Sequence, residues 1–154
     1  MDEFEMKTFT LDEAQALLPV LEALLKRAID GKKAAESIEE RLQELARKIF
    51  LSGGLFVDIA SVRRQRAALE SHVQAAKDSV AEIDAIGVQV KDLDTGLLDF
   101  PCQIDGDIVL LCWKMGEGRI DYWHTLEDGF RGRQPIDERF KSKKTKKPRP
   151  EQPN

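Results

Sequence analysis

The sequence predicts an α+β fold, in which a long antiparallel helical hairpin of coiled-coil type precedes a small antiparallel sheet of three to four strands. Apolar residues recur at helical spacing through two long segments that are separated by Ser52-Gly53-Gly54. From Gly87 onward the spacing changes to alternation, and seven of the ten glycines lie between Gly87 and Gly132. The chain of 154 residues suits one domain, which we place over residues 1–136.

The first helix is predicted over residues 10–51. Thr10 and Glu13 form the Thr-x-x-Glu pattern of a capping box at its start. Pro19 predicts a kink, because proline cannot donate the helical hydrogen bond. Ser52-Gly53-Gly54 ends the helix, since glycine accepts the left-handed conformation found at helix ends. The apolar residues that repeat every seven positions are Ala14, Leu21, Ala28, Ala35, Leu42 and Ile49.

The second helix, predicted over residues 58–86, carries the regular apolar seam of a coiled coil. Its seam positions alternate spacings of three and four, and they run from Ile59 to Ile83. Such a seam offers an assembly surface for a homodimer. The interface candidates are Ile59, Val62, Arg66, Leu69 and Val73. Arg66 either lies along the seam with its charge in water, or pairs with Glu39 or Glu44 of the other helix or of a second subunit.

The sheet is predicted over residues 87–126. Its strands are expected near residues 87–92, 97–104, 107–115 and 119–125. Asp105-Gly106 fits a two-residue hairpin turn, because both positions tolerate positive φ. That turn places Ile104 opposite Asp107 and Cys102 opposite Val109.

The second hairpin turn decides which residues share a face of the sheet. A turn at Glu117-Gly118 places Trp113 opposite Tyr122 and Leu111 opposite His124, so that the histidine joins the apolar face. The two-residue first turn at Asp105-Gly106 places the two cysteines on opposite faces, where they can share neither a metal ion nor a disulfide. A three-residue first turn would instead bring them to one face. The residues expected on the second face are Asp99, Gln103, Cys112, Lys114, Asp121 and Trp123.

The loop predicted over residues 127–136 follows a histidine and contains two arginines among glycines. Such a combination can bind a carboxylate or a phosphate. The ligand-binding candidates are Trp123, His124, Arg131 and Arg133. A purely structural loop fits equally, with the arginines paired to Asp121, Glu127 or Asp128 and His124 hydrogen-bonded in the core. Neither interpretation assigns a catalytic residue.

The charge is divided unevenly along the chain. Of 24 basic and 28 acidic residues, 7 basic and 3 acidic ones lie in residues 137–154, so this segment carries +4 against −8 for the remainder. From Lys141 onward no aliphatic or aromatic side chain occurs, and we predict residues 137–154 to be a disordered basic tail. The tail either solubilises an acidic body or makes weak, nonspecific nucleic-acid contacts through residues 141–154.

Several function classes lack their signature in this sequence. There is no apolar run long enough to span a membrane, and the acidic start does not suggest a signal peptide. No nucleotide-binding, zinc-ribbon or hydrolase motif occurs, so we expect no cofactor and no metal. These observations predict a cytoplasmic protein.

Two groups of motifs resemble the bacterial domain-of-unknown-function 2203 family. The first is Phe9-Thr10-Leu11-Asp12-Glu13-Ala14 with Leu17-Leu18-Pro19. The second comprises Leu98-Asp99-Phe100-Pro101, Leu111-Cys112-Trp113-Lys114 with Gly116-Glu117, Trp123-His124, and Gly129-Phe130-x-Gly132-Arg133-x-Pro135. The resemblance covers about residues 7–136 and implies a small cytoplasmic bacterial protein, but it brings no catalytic residues. The sequence therefore favours a non-enzymatic interaction module over an anionic-ligand-binding protein or enzyme.

Overall fold

The computed structural model describes residues 7–54 and 58–145, and it confirms the α+β fold. Its elements in chain order are α1 Leu11–Leu51, α2 Ile59–Ile86, β1 Gln89–Asp92, β2 Leu97–Ile104, β3 Asp107–Lys114, β4 Tyr122–Thr125, β5 Gln134–Pro135 and α3 Glu138–Thr145. The sheet has five strands rather than three to four. Two compact units divide the chain, one formed by residues 23–82 and the other by the described residues on either side. The single domain over residues 1–136 stays a prediction.

Helix α1 begins and ends as its sequence signals predict. The amide of Thr10 donates to Glu13 Oε1 at 2.9 Å, and the amide of Glu13 donates to Thr10 Oγ1 at 3.1 Å. The helix includes Pro19 without a break, whereas the expected kink stays a prediction. Gly53 and Gly54 have φ values of 72° and 116°, in the region that favours glycine. None of the described helices is both long and apolar enough to cross a membrane.

Helices α1 and α2 pack closely at Gly31 of α1. A Cβ atom at Gly31 would lie 2.9 Å from the backbone oxygen of His72 and 3.4 Å from the Cβ of Ala76. A side chain at this position would force the two helices apart, because the nearest atom belongs to backbone that cannot rotate away. Gly31 thus permits the close packing of the hairpin.

The sheet is antiparallel throughout, with its strands in sequence order from β1 to β5. The Asp105-Gly106 turn forms as predicted, with φ values of 52° and 85°. It places Ile104 opposite Asp107 and Cys102 opposite Val109. The two cysteines accordingly lie on opposite faces of the sheet.

The predicted pairing of β3 with β4 is wrong by one residue. Tyr122 lies opposite Cys112 rather than Trp113, and His124 lies opposite Leu110 rather than Leu111. The cause is the connection over residues 115–121, which is longer than the expected two-residue turn. A shift of one residue moves every side chain of β4 to the other face. His124 therefore leaves the predicted apolar face, and Trp123 joins it.

The segment predicted to be a disordered basic tail, residues 137–154, begins with a short helix. Glu138–Thr145 form helix α3, and Phe140 is buried with its ring 5.6 Å from that of Trp123. One aromatic side chain gives this charged segment an apolar anchor on the sheet. Residues 146–154 lie outside the described residues. The predicted loop over residues 127–136 also contains β5, which pairs with β4.

Candidate functional site

Three polar side chains from adjacent strands meet on one face of the sheet. Asp99 on β2 lies directly opposite Cys112 on β3, and His124 on β4 lies diagonally from Cys112 on the same face. The carboxylate, thiol and imidazole atoms that could bind a metal all lie within 4.8 Å of one another. All three side chains are buried, with Asp99 only 1% and His124 only 3% exposed. We call Asp99, Cys112 and His124 the polar cluster.

Hydrogen bonds fix the orientation of the imidazole in the polar cluster. Nδ1 of His124 lies 2.8 Å from the carbonyl oxygen of Thr125. A carbonyl oxygen only accepts, so Nδ1 carries a proton. Nε2 lies 3.2 Å from Oδ1 of Asp99. A hydrogen bond at this position requires one further proton, held either by the carboxyl group or by the imidazole.

Burial shapes the acid–base chemistry of the polar cluster. It raises the pKa of Asp99 above the ordinary value of 3.8, while the neighbouring His124 acts in the opposite direction. Burial and the nearby Asp99 carboxyl raise the pKa of the Cys112 thiol to about 12. A thiol with that pKa is protonated at neutral pH, which is the reverse of an activated cysteine nucleophile. The polar cluster alone is thus not a cysteine-protease-like site.

We expect both cysteines to resist thiol reagents in the folded protein. Cys102 and Cys112 are buried and not in disulfides, and at a pKa of about 12 fewer than roughly one Cys112 thiol in a thousand is ionised near pH 8. A chromogenic disulfide reagent should react with almost no thiol in the native protein and with both after unfolding in guanidinium chloride. Rapid native reaction that Cys112→Ser abolishes and Cys102→Ser does not would contradict this assignment.

The four ligand-binding candidates from the sequence do not converge on one place. His124 is buried in the polar cluster, whereas Trp123 points to the opposite face and packs against Phe140. Arg131 is exposed in a short 3₁₀ turn, Phe130–Gly132. The fourth candidate, Arg133, lies close to the cluster, since its charge lowers the pKa of the Cys112 thiol and partly opposes the effect of burial.

Arg133 is committed to partners within the protein. It donates to both carboxylate oxygens of Glu117, at 2.9 and 2.7 Å, and its guanidinium lies 4.1 Å from the ring centre of Tyr122. The acidic partner of Arg133 is therefore Glu117. The structural interpretation of the loop predicts Asp121, Glu127 or Asp128, and for Arg133 this prediction is wrong. The Nε atom of Arg133 is buried without a hydrogen-bond partner among the described residues.

The interface candidates on α2 lie on the surface or half-buried. Ile59 is 63% exposed and Arg66 is exposed, while Val62, Leu69 and Val73 are intermediate. Arg66 forms no ion pair with any described residue. Glu44, one of its two expected partners, pairs instead with Arg47 at 2.7 Å.

The sequence did not reveal the polar cluster because the β3–β4 pairing was displaced. Asp99 and Cys112 were already expected on one face, and the correct first turn places them opposite each other. His124 was expected on the other face, so the third member was missing. The only signal available was the pair of polar residues on central strands, where apolar residues dominate.

The fold and the site together define an α+β protein with a helical hairpin and an antiparallel sheet that buries a His–Cys–Asp cluster. The sequence profile of the family described as "Uncharacterized conserved protein (DUF2203)" matches residues 7–136. The chain belongs to this family, as its motifs suggested. A comparison with curated proteins and with solved structures gives no match.

Proposed function

We propose that this protein is a non-enzymatic interaction module that assembles as a homodimer through its helical hairpin. The observation that carries the proposal is the burial pattern of the hairpin. Six residues between 24 and 38 are buried, but none of the described residues between 39 and 78 is. The apolar residues of this outer part are only half-buried, and we call them the hairpin seam: Leu42, Leu45, Ile49, Val62, Leu69 and Val73.

A second hairpin is the natural cover for the hairpin seam. Two helices cover each other's apolar stripe from one side only, and packing two hairpins into a four-helix arrangement covers the other side. Burying one leucine or valine side chain contributes about 1.5–3 kcal/mol. That value holds for burial from full exposure, so each half-buried residue of the hairpin seam supplies only part of it. The six residues on each of two copies together oppose the entropy cost of association.

Charges beside the hairpin seam are complementary between copies. Glu39 and Glu40 on α1 are exposed, as are Arg63, Arg64 and Arg66 on α2. None of these five has an ion pair among the residues described. In a two-fold dimer the acidic stretch of one copy can face the basic stretch of the other, and the contact then occurs twice. The surface is thus self-complementary, which favours a second copy as the partner.

The proposed compartment is the cytoplasm. Two cysteines that form no disulfide are typical of proteins in a reducing environment.

The exposed apolar tip of the hairpin extends the proposed assembly surface, since Phe50, Leu51 and Ile59 are 82%, 66% and 63% exposed.

Two aspartates in the hairpin seam should dissociate the dimer. We expect light scattering and sedimentation to give a dimer mass for the wild type at high micromolar concentration and a monomer mass for Leu69→Asp/Val73→Asp. A buried unpaired charge weakens association by about 100-fold or more. Lys77→Asp, at an exposed position of the same helix, is the matched control and should stay dimeric. A wild-type monomer at all concentrations would reject the proposal.

Charge reversal separates dimerisation from folding, because the reversed positions are exposed. Glu39→Arg/Glu40→Arg and Arg63→Glu/Arg64→Glu should each dimerise about tenfold more weakly, since each exposed pair contributes about 0.2–1 kcal/mol. A mixture of the two variants should form the heterodimer, in which every reversed charge meets its opposite. Equal association of the pure and mixed variants would contradict the two-fold arrangement.

A further inference from the structure

We propose that the polar cluster of Asp99, Cys112 and His124 binds a divalent metal ion of the Zn²⁺ class, with solvent as the fourth ligand. This site was not expected from the sequence, where His124 and Cys112 were placed on opposite faces. The proposal is independent of the hairpin, because all three residues lie on β2, β3 and β4.

The donor set fits this class of ion. Imidazole nitrogen, thiolate sulfur and carboxylate oxygen are the three ligand types that Zn²⁺ uses in proteins. Thiolate disfavours Mg²⁺ and Ca²⁺, which require oxygen ligands. Three protein ligands with a water completing the tetrahedron is a known zinc arrangement. Among the described residues, the group that could hold an ion has these three members.

The spacing of the three side chains also fits. Ligands about 2.0 Å from a tetrahedral ion are roughly 3.3 Å apart, and a sulfur ligand at about 2.3 Å lies slightly further away. His124 Nε2 and Asp99 Oδ1 are 3.2 Å apart. The greatest separation among the three donor atoms is 4.8 Å or less, so a small closing movement suffices.

The imidazole is held in the orientation of a metal ligand. Its Nδ1 donates to the carbonyl oxygen of Thr125, which directs Nε2 toward Asp99 and Cys112. A carbonyl oxygen that accepts a hydrogen bond from the far ring nitrogen is the usual companion of a metal-binding histidine, since it fixes both the tautomer and the ring orientation. The backbone of β4 itself supplies this contact.

Charge and proton balance favour a divalent cation. The ion displaces one proton from the Cys112 thiol and the one proton shared by Asp99 and His124, and both protons leave to solvent. Two anionic ligands and one neutral imidazole then surround a charge of +2, so the buried site becomes electrically neutral. Neutrality matters because an uncompensated charge in the interior is costly.

The test uses Co²⁺ as a spectroscopic probe for the full chain purified with chelator. We expect one Co²⁺ per chain, an intense visible spectrum of tetrahedral coordination, and a near-ultraviolet charge-transfer band from the Cys112 thiolate. Zn²⁺ should displace Co²⁺ and raise the melting temperature. Octahedral Co²⁺ without a charge-transfer band in the wild type would overturn the proposal.

Matched cysteine variants identify the sulfur ligand. Cys112→Ser should lose the charge-transfer band and weaken Co²⁺ binding by more than about 100-fold, beyond the 10–100-fold typical of outer-shell partners. Cys102→Ser removes the other buried cysteine, on the opposite face, and should keep both the band and the affinity. Circular dichroism checks that both variants fold. Loss of the band in Cys102→Ser alone, or its persistence in folded Cys112→Ser, would exclude this site.

Discussion

We expect His124→Leu to lower the free energy of unfolding by about 3–5 kcal/mol when metal is removed by chelation. The substitution keeps the side-chain volume but removes the partner of Asp99 Oδ1, leaving a carboxyl group that is 1% exposed without its imidazole. Breaking one side of a buried polar pair costs this amount because the other side keeps its desolvation penalty. Urea unfolding followed by circular dichroism measures the loss.

The double variant Asp99→Val/His124→Leu should recover at least half of that loss. It removes both polar groups and leaves apolar side chains suited to a strand, and replacing both members of a buried pair is often close to neutral. If the double variant loses as much stability as His124→Leu and Asp99→Val added together, the two side chains are not energetically coupled.

The pH dependence provides a second readout for the same variants. In His124→Leu the pKa of Asp99 stays above 3.8 in the folded state, because burial raises it and the opposing histidine is gone. The folded state then binds more protons than the unfolded state, so its stability falls as pH rises above about 4. The double variant lacks this carboxyl group. The stability difference between the two variants should therefore shrink as the pH is lowered toward 4.

The two hairpins of the sheet differ in how well their strand pairing can be predicted from the sequence. Asp105-Gly106 is a local signal that encodes its own turn type, and the pairing of β2 with β3 follows from it. The β3–β4 connection carries only Glu117-Gly118, which predicts a two-residue turn that the structure does not form. Its geometry depends on contacts with distant residues, since the amide of Ile120 donates to the side chain of Gln15 at 2.6 Å.

Tertiary contacts also determine the structure at the start of the basic C-terminal segment. Composition alone predicts disorder there, because charges dominate and apolar residues are almost absent. Phe140 nevertheless packs on Trp123, whose face could not be known while the β3–β4 pairing was displaced. One register error therefore hid both the apolar anchor of α3 and the third member of the polar cluster. The hairpin was predictable because its signals are local and periodic.

Trp113 is a second fully buried side chain of the sheet, and its substitution should have an effect as large as that of His124. Trp113 is 1% exposed, lies on the face opposite to the polar cluster, and donates from Nε1 to the carbonyl oxygen of Glu117 at 3.0 Å. We expect Trp113→Ala to lower the free energy of unfolding by about 3–5 kcal/mol through the cavity it leaves. Trp113→Phe retains most of the volume and should cost about 1–2 kcal/mol, mainly for the unpaired carbonyl.

Substitution of the second tryptophan, Trp123, is the control for Trp113→Phe. Trp123 is also buried, but its Nε1 has no hydrogen-bond partner among the residues described. Trp123→Phe removes a buried donor that was never satisfied, so it should cost less than Trp113→Phe despite the same change in volume. Urea unfolding followed by circular dichroism compares the two. Equal losses would mean that the hydrogen bond from Trp113 to Glu117 does not stabilise the protein. The connection over residues 115–121, which carries the Glu117–Arg133 ion pair, would then be held by other contacts.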